Sequence, residues 1–184
     1  KIFLDAFLKK KFPVTILRPS LTYGPKLGLY RQISTDASWI DRIKKGKSLL
    51  ICDDGSARCQ FMHVSDAAKI FVSLLGKKQC FGEIYNVVDN KFYTWKDYHI
   101  EAMNVIGKRV HLIDVSFKNL SNFKIPNFRI CEDYTSYDAC YSSEKLFSIL
   151  PTFKPRVDLN SGMREVFRYM ENDGRIKNSF SQNW

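Results

Sequence analysis

No stretch of twenty apolar residues occurs in the 184-residue chain, and no signal-peptide pattern opens it. The expectation is a protein that neither spans nor crosses a membrane and works in the cytoplasm. Five cysteines, Cys52, Cys59, Cys80, Cys131 and Cys140, form an odd set without Cys-x-x-Cys spacing. That argues against a metal site or a disulfide framework and for reduced thiols. There is no internal repeat and no low-complexity segment. The turn Gly-x-x-Gly-x-x-Gly, which cradles a dinucleotide pyrophosphate, is also missing. The aromatic share of 14% excludes a disordered chain, and the length suffices for a real core in one domain or slightly more.

Positive charge, by contrast, is in excess: the formal net charge is +10. Much of it lies in Lys9-Lys10-Lys11, Lys44-Lys45-Lys47 and Lys77-Lys78. Two of these clusters fall where helices should end, and the helix dipole favours cations there. A solvated surface is the simplest reading, an anionic substrate the second and nucleic acid the third.

The segment Val14-Thr15-Ile16-Leu17-Arg18-Pro19-Ser20-Leu21 organises the rest. Its apolar run, stopped by proline and flanked by helical patterns, reads as an interior strand of a parallel sheet. Ligands of open α/β sheets sit beyond the carboxyl ends of such strands, so Pro19-Ser20-Leu21 marks a ligand edge. Before it, Lys1 to Lys10 reads as a helix already under way, with Ile2, Phe3, Ala6, Phe7 and Leu8 as its apolar stripe and no cap at its start. A chain that begins inside a helix is expected to be the remainder of something longer.

After the strand, Ser34 or Thr35 is placed to cap a helix through Ile43. Ser48–Cys52 and Arg58–Val64 are expected as a hairpin about Asp53-Asp54-Gly55-Ser56. Ser65 or Asp66 caps a helix to about Leu75, and Glu83–Val88 is a strand. Thr94 caps a helix from Trp95 to Ile106, ended by Gly107, and Val110–Val115 is a strand. Residues 116–141 carry no sustained period. Ser142 or Ser143 starts a short helix broken by Pro151. Asp158 or Asn160 starts a last one, followed by a loosely held polar tail to Trp184. This alternation is that of an α/β protein.

Several stretches carry a resemblance in one order: Arg18-Pro19-Ser20 with Tyr23-Gly24-Pro25, Asp54-Gly55, Phe61-Met62-His63-Val64-Ser65-Asp66-Ala67-Ala68, Tyr85-Asn86-Val87, and Pro151-Thr152-Phe153-Lys154-Pro155. Together they resemble the extended short-chain dehydrogenase/reductases, the NAD-dependent sugar-nucleotide epimerases and dehydratases. The resemblance is strong to about Val88 and looser beyond. It implies the carboxy-terminal part of a Rossmann-like doubly wound parallel sheet (1–30 and about 58–90) plus a smaller mixed α/β substrate-binding lobe (about 31–57 and 91–184). It also implies NAD or NADP as cofactor and a nucleotide-sugar or related small molecule as substrate.

The resemblance places Lys1 at the lysine of a Tyr-x-x-x-Lys pair. There the lysine bonds the cofactor ribose and lowers the pKa of a tyrosine four residues earlier, which moves a proton at the sugar. On residue type alone Lys1 is an exposed helix lysine. Lacking that tyrosine and the glycine-rich turn, this chain alone is expected to be inactive. Pro19, Ser20 and Leu21 correspond to backbone that approaches the nicotinamide. Arg18 is either a phosphate ligand or a structural ion pair.

Tyr23, which also suits shaping the turn, Arg58 and Asn86 are the candidate substrate contacts. Arg58 departs from the family pattern, where Arg-Asp directly precedes the aromatic. Here Cys59-Gln60 hold those positions, and a shift of one turns a strand side chain to the other face unless a bulge corrects it. His63 reads as a packed histidine, Asp66 as a helix-start group and Trp95 as core. Two other readings stand beside the enzyme. One is an RNA-binding protein on the same scaffold. The other is a catalytically dead member kept as a dimer partner, since family dimers pack through the helix that Lys1 starts, by Ile2, Phe3, Phe7 and Leu8.

Overall fold

In this computed structural model, residues 1–180 are described. The order is α1 (Ile2–Leu8), β1 (Ile16–Pro19), β2 (Leu21–Tyr23), α2 (Ser38–Lys44), β3 (Leu49–Cys52), β4 (Arg58–Cys59), β5 (Phe61–His63) and α3 (Val64–Leu74). Then come β6 (Ile84–Val87), β7 (Tyr93–Thr94), α4 (Trp95–Ile106), β8 (Leu112–Val115), α5 (Phe117–Leu120), a π-helical turn (Cys131–Thr135), α6 (Glu144–Ile149) and α7 (Leu159–Asn172). The strands form parallel pairs β1–β6, β2–β5 and β3–β8 and the antiparallel pair β4–β7. The expected α/β alternation with parallel pairing is what the chain adopts.

Local chemistry sets several boundaries. Thr94 and Asp97 close a capping box on α4, with Thr94 Oγ1 accepting from Asp97 N at 3.0 Å. Gly107 ends the helix in the left-handed region that glycine enters without a Cβ penalty. Asp158 caps α7 by accepting from Ser161 N at 2.8 Å. The largest core gathers Trp39, Phe61, Trp95, Tyr98, Met163 and Phe167 from α2, β5, α4 and α7. A second core packs Ile70, Leu74, Tyr85 and Val87 against Leu146 of α6.

Other expectations are corrected. The hairpin about Asp53-Gly55 does not form. Gly55 N bonds Cys52 O as in a turn, but β3 leaves to pair with β8 while β4 pairs with β7 and β5 with β2. Helix α2 starts at Ser38, because residues 31–34 bridge to each other and the Asp36 carboxylate accepts from Ser38 N. Helix α3 is capped by His63, two residues before Ser65 and three before Asp66.

The run read as an interior strand has one neighbour among the described residues: β1 pairs with β6, and its other edge faces an apolar hollow. The tail is held as far as it is described, since Ser179 is buried and its N–H bonds Asp41. Residues 181–184 of the expected tail lie outside the described residues. All five cysteines are free thiols. Among the described residues no helix is long and apolar enough to cross a membrane.

Candidate functional site at the β1–β6 carboxyl edge

Strands β1 and β6 run in the same direction with Arg18 opposite Asn86 and Pro19 opposite Val87. Beyond them Ser20 N extends the ladder to Val87 O at 3.3 Å. Their shared carboxyl edge opens into a cleft of about 410 Å³ lined by Arg18, Pro19, Ser20, Leu21, Asn86, Tyr134 and Tyr141. Five residues singled out from sequence, Arg18, Pro19, Ser20, Leu21 and Asn86, are thus brought together. The position matches the ligand crevice of open α/β sheets.

Each wall has a local cause. Pro19 has no N–H to donate and closes the strand. The Ser20 hydroxyl donates to Gln60 O at 3.1 Å, and Asn86 Nδ2 donates to Ser142 O at 3.1 Å. Tyr134 projects from the π-helical turn, and burial, with Tyr141 beside it, raises its phenol pKa, so it stays protonated near neutral pH. Arg18 is exposed, and among the described residues its side chain has neither an ion pair nor a hydrogen bond. The structural ion pair weighed for it is absent there, which leaves one free cation on the rim. The cleft therefore offers aromatic faces, an apolar edge, amide and hydroxyl groups and one guanidinium. That is binding chemistry for a ring carrying polar or anionic groups.

The other candidates lie elsewhere. Lys1 is exposed at the start of α1, away from the cleft lining. Tyr23 is buried beneath α7; its hydroxyl donates to Asp158 O at 3.3 Å, and burial raises its pKa. It borders a separate hollow of about 130 Å³ with Asp89, Lys91 and Arg156. Arg58 is exposed and bound to Asp138 through Nε at 2.9 Å and Nη2 at 2.6 Å. The one-residue offset leaves it outside the cleft, because the chain changes partners at Gln60 between β4 and β5.

His63 is packed as expected. Its Nδ1 accepts from Ser65 N and lies 2.8 Å from the Ser65 hydroxyl. Burial holds its pKa below the usual value despite Glu165 at 3.3 Å, so that approach is not an ion pair near neutral pH. Asp66 bonds backbone amides, but those of Arg156 and Val157, at 2.8 and 2.9 Å, rather than those of its own helix. Burial alone would raise its pKa; these bonds and Lys69 hold it below the usual range. Trp95 is core. Sequence reasoning missed Tyr134, Tyr141 and the bonding of Gln60, since nothing local marks residues 116–141. No cluster of metal-binding side chains occurs among the described residues.

Residues 2–87, which include β1, the cleft edge and β6, match the model of the NAD dependent epimerase/dehydratase family. Among relatives, the chain is similar to a putative UDP-glucose 4-epimerase of Methanocaldococcus jannaschii, 28% identical over 160 residues, covering 87% of this chain and 46% of that protein. In fold it is similar to the dTDP-glucose 4,6-dehydratase of Bacillus anthracis in complex with NAD, with a TM-score of 0.67, 21% identity and coverage of 94% of this chain and 49% of that one. It is likewise similar to RMD of Pseudomonas aeruginosa complexed with NADPH, with a TM-score of 0.69, 16% identity and coverage of 94% and 53%. At these identities the two structures establish the fold alone, part of a Rossmann-like α/β sheet. The chain spans about half the length of the proteins it matches.

Proposed function

We propose that this chain supplies the nicotinamide edge and the substrate lobe of a cytoplasmic NAD- or NADP-dependent enzyme that epimerises, dehydrates or reduces a nucleotide-linked sugar. The observation that carries the reading is the cleft at the carboxyl ends of β1 and β6, edged by Pro19, Ser20, Leu21 and Asn86. Its apolar edge and tyrosines suit a planar ring, and the exposed Arg18 guanidinium suits an anionic group of cofactor or substrate. Hydride chemistry would belong to the nicotinamide when bound; the residues here position it.

In this reading residues 1–30 and about 58–90 finish the Rossmann-like core, and the rest forms the lobe. Lys1 is in this reading the lysine of a Tyr-x-x-x-Lys pair, and this chain, which carries neither the pyrophosphate turn nor that tyrosine, is inactive alone. Ile2, Phe3 and Leu8 are exposed on α1 and suit a homodimer contact.

The test is nucleotide binding by the full-length protein. NADH or NADPH fluorescence should titrate to saturation, and Ser20→Trp, which fills the cleft, should weaken binding at least tenfold. Absence of binding by both nucleotides sinks the proposal. The net charge of +10 keeps RNA binding as the second reading. RNA affinity falling steeply with salt, in a protein blind to both nucleotides, would establish it.

A further inference from the structure

We propose that Gln60 is the positioning residue of the cleft: its side-chain amide holds the Tyr141 wall at a fixed distance from the Ser20 edge and so sets the width available to a bound ring. This rests on the cleft being the ligand site.

Gln60 is buried, yet its amide is fully engaged. Oε1 accepts from Tyr141 N at 2.8 Å, and Nε2 donates to Tyr141 O at 3.2 Å and to Asp89 O at 2.6 Å. Its own backbone carbonyl accepts from the Ser20 hydroxyl at 3.1 Å. One residue therefore joins three segments at the cleft: the β1–β2 junction, the loop after β6 and the stretch before α6.

The geometry is that of a substitute strand. Arg58 N donates to Asp138 Oδ1 at 2.8 Å, and Ala139 N donates to Arg58 O at 2.8 Å. Two residues on, where the chain turns into β5 to meet β2, backbone pairing with residue 141 stops. There the Gln60 amide takes over, offering Tyr141 one acceptor and one donor as a peptide group would. Asn86 Nδ2 pins the next carbonyl, Ser142 O, at 3.1 Å. The wall is thus tied at adjacent residues, while Tyr141 itself remains exposed to the cleft.

A carboxylate at position 60 would keep the acceptor but turn oxygen against the carbonyls of Asp89 and Tyr141. Asparagine would keep the amide one methylene short of spanning both partners. The test uses full-length protein labelled with 3-fluorotyrosine, the Tyr141 fluorine signal being assigned with Tyr141→Phe, and NADH and UDP-glucose as probes. Gln60→Glu and Gln60→Asn should shift or broaden the Tyr141 signal and weaken binding of at least one probe about tenfold.

Thr15→Val is the control. It removes a hydrogen bond from Thr15 Oγ1 to Cys80 O of 2.8 Å on the side of β1 away from the cleft, and should lower Tm while leaving Tyr141 and binding unchanged. An unmoved Tyr141 signal in both Gln60 variants overturns the proposal. So does equal loss of binding in Thr15→Val at matched Tm. If the unmodified protein binds neither probe, the functional reading falls, and the Tyr141 signal alone decides whether Gln60 holds the wall.

Discussion

Around Trp39, Trp95 and Tyr98 the rings are sealed from water and meet at defined angles, with Phe61 stacked on Tyr98 at 4.5 Å and edge-on to Trp95 at 5.5 Å. Around the free edge of β1 the chain leaves apolar carbon in solvent. A hollow of about 640 Å³ is lined there by Leu17, Phe71, Val72, Leu75 and Phe81, with Val72 72% and Leu75 84% exposed. The same helix belongs to both kinds of surface. Ala67, Ile70 and Leu74 of α3 are buried, while Phe71 and Val72 look outward. The apolar stripe of α3 is thus wider than the surface it buries: Phe71 flanks it half-exposed and Val72 lies on the far side. Stability is therefore concentrated in the aromatic region, and the open region leaves apolar surface in water.

Four measurements would break or sharpen that contrast. Trp95→Ala should cost about 3–5 kcal/mol in urea unfolding, the usual toll of emptying a buried aromatic site. A loss under 1 kcal/mol would mean the rings are not the keystone. The second concerns pH. Burial lowers the His99 pKa from the ordinary 6.5 of a histidine to about 4. The unfolded chain then takes up a proton that the folded one refuses, so stability is full above about pH 6.5 and falls as pH drops toward 4. The loss attributable to His99 should be roughly 3 kcal/mol, and His99→Gln should flatten the slope.

Third, Thr94→Ala removes the capping box and should cost about 1 kcal/mol with the denaturant slope unchanged. Last and smallest, Leu75→Lys on the open face should alter the stability of the chain by no more than about 0.5 kcal/mol while reducing any self-association. A large destabilisation there would show the open face to be core after all.

Much of this was legible in residue order because the decisive signals were local. The run ending at Pro19 announced a parallel strand, Thr94 and Gly107 bracketed α4, and Asp158 began α7. What stayed hidden depended on partners far along the chain. Asp53 to Ser56 has good turn chemistry, but the strands on either side find better neighbours in β8, β7 and β2 than in each other. The far wall of the cleft comes from Tyr134 and Tyr141, in a stretch without periodicity, and is secured by a glutamine 81 residues earlier. No window of ten or fifteen residues contains that relation. Arg58 shows the limit from the other direction: the sequence marked its offset, and the offset put it on Asp138 at the surface.

Helix α1 buries none of its residues. Its nearest hold is Phe7, whose ring lies over Gly82, while Gly82 N donates to Val14 O at 2.7 Å. Any Cβ at position 82 would occupy the space of that ring. The whole first helix, and with it the ammonium group of Lys1, is thus seated on a bare α-carbon. A single methyl at that seat would meet the Phe7 ring, so either the ring or the helix that carries it must give way, and the left-handed backbone at Gly82 resists the substitution as well.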